Sequence, residues 1–256
     1  MDYFLLTTLK SLRFLKIFDI ITFMGDFKFL FFVICIIYWN NSKNGLKLIK
    51  STLMATNATQ ICKLVFSVSR PFQIYKNIDP SKYAMSSATG FSFPSGHAQA
   101  SMSVYGYLAN SLKKNYLYIL AFLVALSRIV LGVHTLRDVV FGLIIGLVFI
   151  RLTSGNLLVM ALISLLFSAF RYIKGVPIPF VLDGVVIGIL SLLFLMNLSY
   201  IENVKTSLNK KQILIGILPL VLSECIFYFI YPIHNLEYIV YIIYMFIYPK
   251  LKSTVK

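Results

Sequence analysis

Nine apolar runs follow one another along this chain, parted by short connections rich in lysine and arginine, and that alternation leaves few architectures open. A helix needs roughly 20 apolar residues to cross a hydrocarbon layer of about 30 Å. The runs occupy residues 20–39, 51–68, 94–112, 117–133, 139–150, 157–170, 179–198, 213–231 and 238–248, and several approach or meet that length. The chain is 59% hydrophobic and 13% charged, whereas a soluble domain is about 45–50% apolar and 25% charged. The sequence therefore predicts an all-α polytopic membrane protein.

The remaining features refine that frame. Residues 1–19 place Lys10, Arg13 and Lys16 at threes among Leu5, Leu9, Leu12 and Leu15, which predicts an amphipathic helix lying in the membrane interface. Asp26 and Lys28 stand near one end of the first run, and Tyr38 and Trp39 mark an interface level at the other. The longest hydrophilic stretch, 72–93, is the natural extramembrane loop. A net charge of +15 would suit nucleic acid, but the basic residues lie mainly in connections, where they orient helices, so nucleic-acid binding is not expected. Cys35, Cys62 and Cys225 form no C-x-x-C pattern and read as small core hydrophobes. His234 reads as a solvated loop residue. Asp183 and Glu224 lie within or beside apolar runs, either as helix-end residues or as carboxylates facing a cavity or a partner.

Chemistry concentrates in three clusters. Lys63 stands seven residues before Arg70, which Pro71 follows; Pro94, Ser95, Gly96 and His97 open the third run; Ser127, Arg128, His134 and Asp138 straddle the fourth and fifth. If helix direction alternates, all three arrive at one membrane level. His134 and Asp138, four apart at a helix start, share one face. A carboxylate on one imidazole nitrogen fixes the tautomer and leaves the other nitrogen's lone pair free to attack. Taken alone, the same pair also reads as the polar first turn of an ordinary helix, where an Asp favours the macrodipole.

Taken together, K-x6-R-P, P-S-G-H and S-R-x5-H-x3-D resemble the motifs of the type 2 phosphatidic acid phosphatases, whose pocket is shared with vanadium haloperoxidases and bacterial acid phosphatases. The resemblance covers residues 20–151 and implies a six-helix phosphatase core if the amino-terminal helix is counted; it is silent on the four runs after Gly155, and the expected division is an interfacial helix at 1–19, the phosphatase core at 20–154 and a carboxyl-terminal transmembrane extension at 155–256. It implies a metal-independent hydrolase without a cofactor. Lys63, Arg70 and Arg128 would bind the non-bridging phosphoryl oxygens, the two guanidinium forks by paired donors. Ser95 and the backbone around Gly96 would add neutral donors. His134, oriented by Asp138, would attack phosphorus and form a phosphohistidine, while His97 would protonate the leaving oxygen and later activate water.

The expected substrate is a lipid phosphate or diphosphate held in the bilayer, undecaprenyl diphosphate first, phosphatidic acid or phosphatidylglycerol phosphate next. Gln73, Lys76, Lys82 and Arg137 are the head-group contacts the sequence suggests. The positive-inside rule, applied after discounting Lys63, Arg70, Arg128 and the amino-terminal helix, places the site on the extracytoplasmic side of a bacterial cytoplasmic membrane. A lipid transporter or flippase and a vanadate-dependent oxidase are the rivals from other classes, and a lipid phosphotransferase would use the same pocket. Oligomeric state is not legible.

Overall fold

The computed structural model describes residues 2–9, 16–152, 155–196, 198, 208–230 and 244–249, with the backbone alone for 2, 3, 5 and 221–230. Among them there is no strand; the elements are helical throughout. A short α1 (Asp2–Thr8) precedes α2 (Lys16–Phe23) and α3 (Phe27–Asn40). Residues 20–39 thus do not form one straight helix. They break at Gly25 and Asp26, with a bend of 43° between α2 and α3. The cause is local: Asp26 has extended backbone and caps α3, its Oδ1 accepting from Lys28 N at 3.0 Å. Gly25 lies so close to Val124 that a Cβ there would stand 2.3 Å from its Cγ1. The expected boundary of an interfacial helix at residue 19 is not observed either, since α2 begins at Lys16 and runs past Asp19 to Phe23; residues 10–15, including Lys10 and Arg13, lie outside the described residues.

The hub is α4 (Ser42–Phe66), 25 residues long. It begins nine residues before the expected run, because Asn41 caps it through Asn44 N and nothing between 42 and 50 breaks a helix. Gly45 fits there only because it lacks a side chain; a Cβ would stand 2.3 Å from the Tyr38 Cα of α3. Against α4 pack α3, α7 (Gly96–Ser101), α10 (Leu136–Arg151), α11 (Leu157–Ile173) and α12 (Ile178–Met196). Residues 72–93 are not a featureless loop: α5 (Pro71–Ile74) and α6 (Lys82–Ser86) lie at its start and middle. From α7 the chain passes through a π-helical turn (Met102–Gly106) into α8 (Tyr107–Leu112), then to α9 (Leu117–Val130). The last long helix is α13 (Lys210–Ile230). His234 and residues 231–243 lie outside the described residues, as does the Glu224 side chain.

The described helices do not by themselves establish the nine expected spans. Among the described residues α12 alone is long and apolar enough to cross a membrane by itself, and α2 with α3 qualifies as a bent pair. Four of the others fall short for definable reasons. Helices α9, α10 and α11 have 14, 16 and 17 residues, and α4 carries Lys43, Lys47, Lys50 and Lys63.

Two glycines set the spacing that the site depends on. Helix α10 presents Gly142 and Gly146 to α7, where a Cβ would stand 2.5 Å from Ser95 O and 2.6 Å from Gln99 O respectively. Small residues four apart let two helix backbones meet. That contact brings the start of α7 beside the start of α10.

Candidate active site

Local sequence explains how each side chain arrives. Helix α9 ends at Val130, and two residues on Gly132 has a φ of +74°, which is left-handed and suits glycine. The N–H groups of Val133 and His134 both donate back to Arg128 O at 3.2 Å, so His134 is folded against the helix that carries Arg128. Helix α10 then opens with a capping box. Thr135 Oγ1 accepts from Asp138 N at 3.3 Å, and Asp138 Oδ2 accepts from Thr135 N at 2.8 Å. The polar-first-turn reading of Asp138 is therefore correct as far as it goes. The same carboxylate also lies 3.5 Å from His134 Nδ1, through Oδ2.

Between them stands a residue that sequence reasoning did not single out. The Ser92 hydroxyl donates to Asp138 Oδ2 at 2.6 Å, and its oxygen is 3.3 Å from His134 Nδ1. Ser92 is fully buried. Its one signal in the sequence is its place two residues before Pro94, which carries no chemistry without the fold. On the other side of the imidazole, Arg70 Nη1 is 3.2 Å from His134 Nε2. A guanidinium can only donate, so Nε2 accepts and the ring proton sits on Nδ1, facing Ser92 and Asp138. His134 lies in the connection between α9 and α10. Burial pushes its imidazole well below the usual histidine range; the hydrogen bond to Asp138 opposes this, and Arg70 and Arg128 add to it.

The two buried arginines are not equivalent, which corrects the expectation of two free forks. Arg70 Nε donates to Gly90 O at 3.0 Å, Nη1 to Val133 O at 3.3 Å, and Nη2 to Thr89 O and to Phe91 O at 3.5 Å. With His134 counted, its five N–H donors all have partners, and it stitches the 89–91 loop to the turn that carries Val133 and His134. Arg128 is different. Its Nη1 donates to Thr22 Oγ1 at 2.8 Å and Ser87 Oγ at 3.1 Å, while Nε and Nη2 are buried with no hydrogen-bond partner. Unsatisfied buried donors on a charged group are costly, and the open Nε and Nη2 edge is the one a guanidinium uses for a bidentate oxyanion.

Lys63 is buried on α4, and a Cβ built on Gly96 would stand 4.0 Å from its Nζ. Ser95 caps α7, its Oγ facing Ala98 N, and its N–H donates to Asp138 O at 2.9 Å, tying the P-S-G-H turn to α10. His97 is flanked electrostatically by Arg128, His134, Arg70 and Lys63. The structure thus gathers Lys63, Arg70, Ser95, Gly96, His97, Arg128, His134 and Asp138 in one place. Among the proposed head-group residues, Gln73 is occupied elsewhere: its Oε1 accepts from Arg70 N at 2.9 Å. Arg137 lies over the Phe93 ring at 5.2 Å. Asp183, near the start of α12, reaches the site's rim, its Oδ2 accepting from Thr89 Oγ1 at 3.1 Å.

No curated protein and no solved structure gives a significant match to the chain. A family model does, over residues 44–158, a stretch that spans α4 through the start of α11 and contains all three clusters. That stretch is similar to the PAP2 superfamily.

Proposed function

We propose that the protein is an integral-membrane lipid phosphatase that removes phosphate from a lipid phosphate or diphosphate through a phosphohistidine on His134. The match of residues 44–158 to the PAP2 superfamily supports phosphatase activity on phosphate esters in general. The observation that carries the finer reading is the setting of His134: its proton-bearing Nδ1 faces Ser92 and Asp138, and its lone-pair nitrogen faces the cations. A phosphoryl group entering there would take the open edge of Arg128 and the ammonium of Lys63, displacing the Arg70 contact from Nε2 and freeing the lone pair.

Attack by Nε2 on phosphorus then forms the P–N bond as the ester P–O bond breaks. His97 protonates the departing oxygen. In the second half, His97 takes a proton from water, whose oxygen attacks phosphorus and expels His134. Asp138 and Ser92 stabilise the imidazolium character that develops in the first step. Lys63, Arg70 and Arg128 offset the charge on the equatorial oxygens without a metal ion in the scheme.

The membrane part of the proposal draws on the outer faces. Phe122 and Leu126 of α9, Val140, Phe141, Ile144 and Val148 of α10, and Leu158, Leu162 and Leu166 of α11 are exposed, while the charged site is buried. So much exposed apolar surface suits acyl chains. Among lipids we favour an isoprenoid diphosphate such as undecaprenyl diphosphate, then phosphatidic acid or phosphatidylglycerol phosphate, acting from the extracytoplasmic side. Purified protein in detergent, offered this panel while inorganic phosphate is measured, tests the reading. Turnover that survives a strong chelator, is inhibited by vanadate and vanishes in His134→Ala is expected; absence of phosphate release from every lipid phosphate would overturn it.

A further inference from the structure

The general acid of the proposed reaction has a partner outside the segment that carries the family motifs. Asp26 Oδ2 lies 3.8 Å from His97 Nε2, and that nitrogen is buried with no hydrogen-bond partner. Asp26 belongs to the break between α2 and α3, 18 residues before the family match begins at 44. Its two oxygens have separate tasks. Oδ1 caps α3 through Lys28 N, whereas Oδ2 accepts from Tyr83 Oη at 3.3 Å and is the atom turned to His97. The neighbouring polar residue of α2, Thr22, holds Arg128 from the same side.

We infer that Asp26 is the positioning residue for His97, a second carboxylate–imidazole pair set across the site from Asp138 and His134. The inference rests on the reading of His97 as general acid. The physical need is specific. The cations Arg128, Arg70 and Lys63 lie around His97. A group that must arrive at the transition state as an imidazolium needs a nearby negative charge, and the Asp26 carboxylate lies 3.8 Å away. With Nε2 turned to Asp26, Nδ1 is the nitrogen left for the leaving group. In the first step Nδ1–H passes its proton to the ester oxygen as the P–O bond breaks and the bond from phosphorus to His134 forms, leaving His97 neutral. In the second, water gives that proton back as its oxygen bonds to phosphorus. Asp26 stays a carboxylate throughout.

The test exploits the division of labour between its oxygens. Asp26→Asn keeps an acceptor for the α3 cap, since Asn and Asp cap about equally well, and removes the charge facing His97. Single-turnover phosphorylation is followed with an alkyl lipid phosphate and with an aryl phosphate, whose leaving group departs without a proton. Asp26→Asn should slow the alkyl reaction roughly tenfold or more, part of the 10²- to 10⁴-fold a positioned acid supplies, slow the aryl reaction much less, and move the basic limb of the alkyl pH profile to lower pH. Asp26→Glu should recover part of the loss. Tyr83→Phe should move the basic limb the opposite way, because the carboxylate loses a competing donor; this second arm stands if Asp26→Asn fails to fold.

Equal losses with both substrates, or an unmoved basic limb in both Asp26→Asn and Tyr83→Phe, would overturn the inference. Failure of the unsubstituted protein to phosphorylate itself with either substrate would instead count against the phosphohistidine reading, so the two failures are separable.

Discussion

Asp138 stands 3.5 Å from His134, and the oxygen that faces the imidazole is the same one that caps α10 and accepts from Ser92. One carboxylate therefore fixes a helix start and the His134 imidazole together. Its direction is set by backbone geometry, so the proposed nucleophile is aimed by secondary structure. Ser92, between the two, turns the pair into a three-membered array. Ser92→Ala should slow phosphorylation roughly tenfold, with Asp138→Asn costing more, as for supporting groups around a nucleophile. Trapping of acid-labile phosphate on His134 in a quenched single turnover measures both, and undiminished trapping in Ser92→Ala would remove it from the array.

The difference between the two arginines makes opposite predictions for one substitution. Arg128→Lys replaces an open planar edge by a point charge and should weaken vanadate inhibition by roughly tenfold or more with little change in thermal stability. Arg70→Lys strips donors from Thr89, Gly90, Phe91 and Val133 carbonyls, each orphaned acceptor costing about 1–3 kcal/mol. It should lower the unfolding temperature far more than Arg128→Lys does. Vanadate inhibition curves and thermal unfolding in one detergent read both.

Gly142→Val tests the helix contact that assembles the site. A Cβ there meets Ser95 O at 2.5 Å, which is backbone and cannot swing aside. Separation of α7 from α10 should cost about 1–3 kcal/mol in stability and draw Ser95 and His97 away from His134. Activity should fall more than the loss of folded protein accounts for, measured as specific activity against the folded fraction.

The depressed proton affinity of His134 has a pH consequence whose sign can be stated. Its folded value lies below the usual one of about 6.5, so at low pH the unfolded chain binds a proton that the folded chain refuses. The stabilisation is complete above pH about 6.5 and is lost as pH falls through that value toward the folded one. Thermal unfolding between pH 7.5 and 5 should therefore show a smaller acid-side loss in His134→Gln than in the unsubstituted protein, and an equal loss would mean that burial does not hold this imidazole neutral.

Much of the site was legible in the residues alone. The spacing of Lys63 and Arg70, of Pro94 to His97, and of Arg128, His134 and Asp138 is a local property, although His134 stands just before the N-cap Thr135 and meets Asp138 through the capping turn, where the spacing of four predicts a shared helical face. The glycine turn after α9 and the T-x-x-D box at Thr135 are likewise local, since each needs only a turn of backbone. What only the tertiary structure decided is which donors remain free. Arg70 and Arg128 are the same residue type in similar motifs, yet one is consumed by carbonyls of a loop about 20 residues away and the other keeps a bare edge, because the 89–91 backbone closes over the first and not the second. The break at Gly25 and Asp26 belongs to the same class. Apolar content made 20–39 read as one helix, whereas close packing on Val124 and the capping carboxylate of Asp26 divide it and carry that carboxylate to His97. Periodicity records what a segment can bury; it holds no information about which distant group will arrive to share a hydrogen bond.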